Sequence, residues 1–262
     1  MSSREIVGVV LVRNEDRFLP TALQNVSDFC DRFLLFDHTS TDQSLSILEK
    51  FAREHDAVEL QSITHPSVSQ RALKPIAGKN VWVFGVDGDE VYDPSGLARL
   101  RPRVLSGEFD DSWMLMGHCH HTEKLSAGRA HGFQAPPSRS VTKLYNFSAI
   151  DAWPGDSMER LHGGSPVFRT GFDATKKRLL FNETSWEDSP LRCLHLCFCK
   201  RSSLDFHNED ARKNIDEIYN RPNWLSRFLS IIQKKQSGWK QERYRRGSLT
   251  GVSTLPFFDE PV

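Results

Sequence analysis

No stretch of the 262-residue chain is apolar without interruption for longer than the seven residues IVGVVLV at positions 6 to 12. A bilayer-spanning helix needs about 20 apolar residues, and this run has charges close on both sides, so it is neither a membrane span nor the core of a secretory signal. Net charge is absent too: 34 basic residues balance 34 acidic ones, which argues against a dedicated nucleic-acid binder that works by neutralising phosphates. Glycine-rich phosphate loops are missing. Neither G-x-G-x-x-G nor G-x-x-x-x-G-K-S/T follows the first apolar run, which removes the usual dinucleotide-binding and P-loop architectures. Internal repeats and low-complexity tracts are lacking. The five cysteines are odd in number, and with no secretion signal they are expected to stay reduced in a cytoplasmic protein.

What the chain does have is an alternation of strand-like and helix-like segments. IVGVVLV is continuously apolar. RNEDRFLPTALQNVSDFC then reads as a loop and a helix with Phe18, Leu19, Ala22, Leu23 and Val26 on one face, and RFLLFD, residues 32 to 37, is a second strand ending on Asp37. HTSTDQSLSILEKFAREH passes through Ser and Thr into an amphipathic helix striped with Leu45, Ile47, Leu48 and Phe51, and VELQSI, residues 58 to 63, is a third strand. This order predicts an α/β fold, with a Rossmann-like, mixed but mostly parallel sheet flanked by helices and joined by right-handed crossovers. Ligands of such sheets bind at the carboxyl ends of the strands. Where glycines would cradle a phosphate, this chain places Val12, Arg13, Asn14 and Glu15 after the first strand and Asp37 at the end of the second. Beyond residue 105 the pattern loosens: residues 111 to 125 read as one strand, VTKLYNF as another, and residues 204 to 236 as a helix.

The segment VWVFGVDGDEVYDP, residues 81 to 94, breaks from an apolar run into Asp87, Gly88, Asp89 and Glu90. Val81, Trp82, Val83, Phe84 and Val86 show no polar alternation, as suits a strand covered on both faces. On extended backbone Asp87 and Asp89 point to one side within about 7 Å of each other, so a divalent cation fits between them and a ligand, while Glu90 faces away. The competing reading is a plain Asp-Gly turn, which needs a second strand straight after it. The residues that follow lead instead through Asp93, Pro94 and Ser95 to a helix start at GLARLRPRVL.

Other features divide between chemistry and packing. Cys193, His195, Cys197 and Cys199 suggest zinc, but along one continuous strand they would spread over roughly 20 Å, too far for one tetrahedral ion with bonds near 2.3 Å. His195 is left as a single ligand of a site completed from elsewhere. His118, His120 and His121 read as surface or ligand-lining histidines, because the sequence locates no partners for a metal. Trp153 and Trp186 suit either packing or stacking on the ring of a ligand. Between Arg221 and Gly247 eight Lys or Arg stand against one Glu. That segment is either a helix packed on the domain with a solvated basic face or a peripheral contact with anionic membrane.

Taken in order, a first strand ending in VRNED with LP close behind, a second ending in DHTSTDQS and an apolar strand ending in DGDE resemble the family 2 glycosyltransferases, the inverting group built on the GT-A fold. The resemblance covers residues 6 to 93 and continues through SWEDSPLRCLHLCF to about residue 201. It implies a GT-A catalytic domain over residues 1–205, with 206–262 a helical segment and tail packed on it. It also implies that Val12, Arg13, Glu15 and Asp37 contact uracil or a similar base, and that Asp87 binds ribose, metal or both. Asp89 would ligate Mn2+ or Mg2+ on the diphosphate, and His195 would join it from a late strand; a carboxylate and imidazole set leans toward Mn2+.

The activity implied is transfer of a sugar from a nucleotide-sugar donor, UDP-linked by preference, to a glycan, lipid or small-molecule acceptor. Inversion needs a carboxylate that takes the acceptor hydroxyl's proton. Asp156 and Glu159 in WPGDSMERLHGG are the first candidates, and Glu187 and Asp188 in SWEDSP the second. Two other functions stay open. A sugar-nucleotide nucleotidyltransferase usually starts with a glycine-rich basic loop, which VVLVRNED lacks, and a non-catalytic nucleotide- or glycan-binding protein has less use for Asp87 and Asp89.

Overall fold

The architecture follows from a first strand whose two faces are both apolar. The computed structural model describes residues 3–134, 143–153, 166–204, 253–256 and 258. In it β1 (Glu5–Val12), α1 (Leu19–Ser27), β2 (Arg32–Asp37), α2 (Ser44–Glu54), β3 (Val58–Ser62), α3 (Ser67–Arg71) and β4 (Val81–Val86) succeed one another as the alternation requires. Ile6, Val10 and Val12 of β1 and Trp82, Phe84 and Val86 of β4 pack with Leu19, Leu23 and Val26 of α1 and Leu48 and Phe51 of α2. The intervening Val7, Val9, Val81 and Val83 pack on the other side with Leu73, Ile76, Phe147 and Trp153. Side chains of a strand alternate in direction, so a run with no polar residue needs a core on each face. Each such side chain, fully buried, contributes about 1.5–3 kcal/mol. The carboxyl ends of these strands are thereby held on a rigid base.

β4 does not continue past Val86. Residues 87–89 make a turn in which Glu90 N donates to Asp87 O at 3.1 Å, and the chain resumes as β5 (Glu90–Tyr92) in a different sheet. The turn that the sequence offered as an alternative is therefore present, without being a hairpin, and the extended spacing expected of Asp87 and Asp89 is replaced by it. α4 (Pro94–Leu105) follows, its Asp93 cap accepting from Ser95 N at 3.0 Å. The single strand expected over residues 111 to 125 is two. β6 (Met114–Met116) lies in the large sheet and β7 (His118–Ser126) in the second, with Gly117 between them.

The remaining elements are β8 (Arg129–Gln134), β9 (Lys143–Asn146), β10 (Ile150–Ala152), β11 (Val167–Phe168), β12 (Lys177–Leu179), α5 (Leu180–Glu183), β13 (Arg192–His195) and β14 (Ser253–Pro256). The large sheet has seven strands in the order β12-β6-β9-β4-β1-β2-β3. All run parallel except β9, which is antiparallel to both β4 and β6. The fold is the mixed, mostly parallel α/β sheet expected. A second sheet has five strands, β14-β8-β7-β13-β5. β13 runs parallel to β7 and antiparallel to β5, so the late strand bearing His195 lies between the histidine-rich strand and the one that follows the acidic turn.

Of the segment 206–262, Ser253–Pro256 forms an edge strand on β8. Residues 205–236 of the expected helix, the basic stretch 221–247 with its membrane reading, and Asp156 and Glu159 lie outside the described residues. Among the described residues no helix is long and apolar enough to cross a membrane.

Gly132 shows how closely the second sheet is built. A Cβ there would lie 1.9 Å from the His121 carbonyl oxygen, and that backbone cannot retreat without breaking the β7–β8 ladder. Gly132→Ala is expected to cost about 1–3 kcal/mol, measured as a lower urea midpoint at unchanged slope. An unshifted midpoint would contradict this packing.

Candidate functional site

The carboxyl ends of β1, β2 and β4 bring residues 12–16, 37–44 and 87–89 together. Val12 is in register with Asp37, and His38 N donates to Val12 O at 2.9 Å. Asn14 and Thr39 have positive φ, 54° and 51°, a left-handed conformation that side-chain hydrogen bonds must hold in place. Thr41 N donates to Asn14 Oδ1 at 2.7 Å, Asn14 N to Ser40 Oγ at 3.1 Å, and Glu15 N to Ser44 Oγ at 2.8 Å. Asp37 is buried. Its Oδ2 accepts from Ser40 N at 3.2 Å, while Oδ1 has no hydrogen-bond partner among the described residues. Leaving a buried acceptor in that state costs about 1–3 kcal/mol, and a ligand's hydroxyl or ring N–H would relieve it. Arg13 is exposed beside this edge. Burial first, and then the charge of Arg13, lower the pKa of His38.

The acidic turn separates its two aspartates. Asp87 is half-buried, whereas Asp89 is 2% exposed. Gly88 sits against the loop after β1: a Cβ there would be 2.6 Å from Glu15 Oε2 and 3.1 Å from Val12 Cγ1. Glu15, expected to share base contact with Arg13, is turned inward instead. Arg201 donates from Nη1 to Glu15 Oε1 at 2.9 Å, and the same nitrogen is hydrogen-bonded to Asp89 Oδ2. Two carboxylates withdrawn from water thus share one guanidinium, a group that does not lose its proton in proteins. Glu90, which the sequence placed on the far side, is buried in β5 and accepts from Tyr92 Oη at 2.7 Å. Burial, followed by the charge of Asp87, pushes its pKa up to about 8.

Behind Asp89 stands His195, with Nε2 3.7 Å from Asp89 Oδ1. Its other ring nitrogen, Nδ1, faces His121 Nδ1 at 3.1 Å. β13 ends at His195, and the turn after it is held by Leu196 N donating to Asp89 O at 2.8 Å and Cys199 N to Leu196 O at 2.9 Å. The premise of one continuous strand through Cys199 therefore fails. Cys197 folds back so that its Sγ lies 3.7 Å from His121 Nδ1, and Cys119 Sγ lies 4.0 Å from the same atom.

The structure thus brings Val12, Asp37, Asp87, Asp89 and Glu15 to one edge, with His195 directly behind. It adds Arg201, His121, Cys119 and Cys197, which the sequence did not single out as partners. Arg201 is 112 residues from Asp89 in the chain, and no local pattern marks it. The alternation of Cys119 and His121 along β7, matching that of Cys193 and His195 along β13, was the signal that could have been found. Trp153 is buried against Phe147, with ring centroids 5.3 Å apart, and here is a packing residue. Trp186 is likewise buried, with the Arg192 guanidinium over its ring.

No protein-family model and no curated protein matches this chain. Among solved structures it is similar to residues 1–349 of TarS from S. aureus in complex with UDP, at 17% identity and a TM-score of 0.36, over 57% of this chain and 50% of that one. It is similar to glucosyl-3-phosphoglycerate synthase from Mycobacterium tuberculosis in complex with Mn2+, UDP and glucosyl-3-phosphoglycerate, at 14% identity and 0.36, over 56% of this chain and 58% of that one. Mannose-6-phosphate isomerase from Helicobacter pylori is a third, at 9% identity and 0.35, over 55% and 71%. The match spans between 50% and 58% of the length of the first two.

Two measurements probe this edge. Because the folded state lowers the pKa of His38, unfolding takes up a proton as pH drops through the ordinary value of 6.5, and stability falls there. His38→Gln should flatten that part of the stability curve, seen in urea midpoints collected across the pH range; identical wild-type and variant curves would count against a buried neutral imidazole. Arg201→Met removes the counter-charge shared by Glu15 and Asp89 and is expected to cost about 3–5 kcal/mol. A thermal midpoint that does not move would show that the bridge contributes nothing.

Proposed function

We propose that this chain is a metal-dependent glycosyltransferase of the GT-A, family 2 type, taking its sugar from a UDP-linked donor and inverting the anomeric carbon. The observation that carries the reading is the meeting, at one strand edge, of a buried carboxylate oxygen on Asp37 with the half-buried Asp87 of the acidic turn. Asp37 is an acceptor suited to a base or ribose donor. Val12 is in register with it, and Arg13, the next residue and exposed at this edge, brings positive charge toward the donor. Asp87 and Asp89 offer oxygen ligands to Mn2+ or Mg2+, which when bound stabilises the negative charge on the departing diphosphate as a Lewis acid.

The chain's own groups divide the remaining work. Arg201 bridges Asp89 and Glu15 inside the protein, so Asp89 is aimed before any ligand arrives. His195, expected as a further ligand of that cation, is assigned the position behind Asp89, where its Nε2 orients the carboxylate. The proton of the acceptor hydroxyl is assigned to Asp156 or Glu159. The acceptor is a glycan, a lipid or a small molecule.

A second reading has an observation of its own. With Arg201 already on Asp89, a nucleotide could bind without a dication, as in a non-catalytic binding protein. A calorimetric screen of UDP-, GDP- and dTDP-sugars with and without Mn2+ separates the two. The glycosyltransferase reading expects a UDP-sugar to bind at least about tenfold more tightly with Mn2+, or ~1.4 kcal/mol. Asp87→Asn should remove that increment, and Asp37→Asn should weaken binding in both conditions. Binding that ignores Mn2+, with no sugar released to water or acceptor, supports the second reading. No nucleotide binding in either condition would overturn both.

A further inference from the structure

β7 and β13 run parallel in register, with Cys119 opposite Cys193 and His121 opposite His195. Residues two apart on a strand share a face, so two cysteines and two histidines form a square patch on one side of the second sheet. Three of them, Cys119, His121 and His195, are buried and hold their ligand atoms within 4.8 Å of one another. The turn after β13 adds the Cys197 thiol, 3.7 Å from His121 Nδ1. We propose that Cys119, His121, His195 and Cys197 bind a borderline-soft divalent cation of the Zn2+ class in a tetrahedral site. This site is separate from the oxygen-ligated cation assigned to Asp87 and Asp89 and does not depend on the glycosyltransferase reading.

The three separations measured from His121 Nδ1 are compatible with a coordination shell. Bonds of about 2.0–2.1 Å to nitrogen and 2.3 Å to sulfur set the edges of a tetrahedron at about 3.3–3.8 Å. Here the nitrogen-to-nitrogen separation is 3.1 Å, and the sulfur-to-nitrogen separations are 3.7 and 4.0 Å. Donor type agrees. Thiolate with imidazole selects Zn2+ over Mn2+ or Mg2+, which prefer oxygen. His195 uses Nδ1 toward the cluster and leaves Nε2 toward Asp89, 3.7 Å away, the arrangement in which a carboxylate orients a metal-bound histidine from outside. Cys193, in register with Cys119 and buried with it in the main core, is not among the three residues whose ligand atoms lie within 4.8 Å of one another.

A cation here would tie β7, β13 and the turn through Cys197 together. Through His195 and the Leu196 N to Asp89 O bond it would fix the acidic turn from behind. The hard cation in front would then meet a carboxylate already oriented.

The test uses the full chain without a polyhistidine tag. Plasma mass spectrometry of the protein as purified is expected to find zinc in stoichiometric amount. After stripping and titration with Co2+, a thiolate-to-cobalt charge-transfer band and tetrahedral d–d bands should appear and then vanish when Zn2+ is added. Cys197→Ser, at a half-buried position, should retain the fold by circular dichroism and lose about half of the charge-transfer intensity, one of two thiolates being gone. Cys119→Ser with His121→Asn should lose all of it, while Asp87→Asn and Cys30→Ala should keep it. A protein purified without zinc that, stripped and folded, gives no charge-transfer band with Co2+ overturns the site. Full intensity in both Cys197→Ser and the double variant does so as well.

Discussion

The guanidinium of Arg201 lies between Glu15 and Asp89, and the arrangement of the strand ends depends on that contact. Glu15 belongs to the loop after β1, Asp89 to the turn that leads β4 into β5, and Arg201 to the chain just after β13. One cation therefore joins the large sheet to the second sheet at the edge where a ligand would bind. The two carboxylates are 4% and 2% exposed, so the contact has to offset the desolvation of three charged groups. Such a bridge adds little net stability compared with an apolar substitute, but it strongly disfavours any arrangement in which one member is displaced. Its effect is to fix positions.

That fixed geometry gives the two aspartates of the turn different parts. Asp89 is held from inside by Arg201 and flanked by His195, and Asp87 stays half-buried toward the open edge. A cation reaching the turn from outside would meet Asp87 first, since Asp89 is 2% exposed behind it. Behind the turn the chemistry changes character, from carboxylates to thiols and imidazoles. Donor softness would sort two kinds of ion to the two sides of one histidine. Asp37, at the end of β2 with β1 between it and β4, carries a buried carboxylate oxygen with no hydrogen-bond partner among the described residues.

The β-α-β units were legible because a strand buried on both faces has no room for polar alternation. IVGVVLV, RFLLFD and VWVFGV reveal themselves as sheet interior by that fact alone, and the amphipathic stripes of the intervening helices follow. Asp37 and Asp87 were placed at strand ends for the same reason. The break at Gly117 and the turn at Asp87 were not legible, because each moves the chain from one sheet to another. Such a step is decided by strands far away: β5 departs from β4 because β13 is there to pair with it. The place of Cys197 is hidden for a related reason: Leu196, just before it, gives its amide to Asp89 O, so the strand geometry stops there.

From local order alone the sequence determined the alternation, the two-sided core and the edge on which acidic residues gather, since side-chain direction along a strand or helix is a property of neighbours. Only the tertiary structure decided which acids face outward and that Arg201 is their counter-charge. It also decided that two cysteines and two histidines from three segments come together, with Cys119, Cys197 and His195 at 3.1 to 4.0 Å from His121 Nδ1. Those outcomes depend on the register of β7 against β13 and on contacts spanning 74 to 186 residues. Packing sets such pairings by satisfying charge and hydrogen bonds across the whole fold, and no short stretch of chain carries that information.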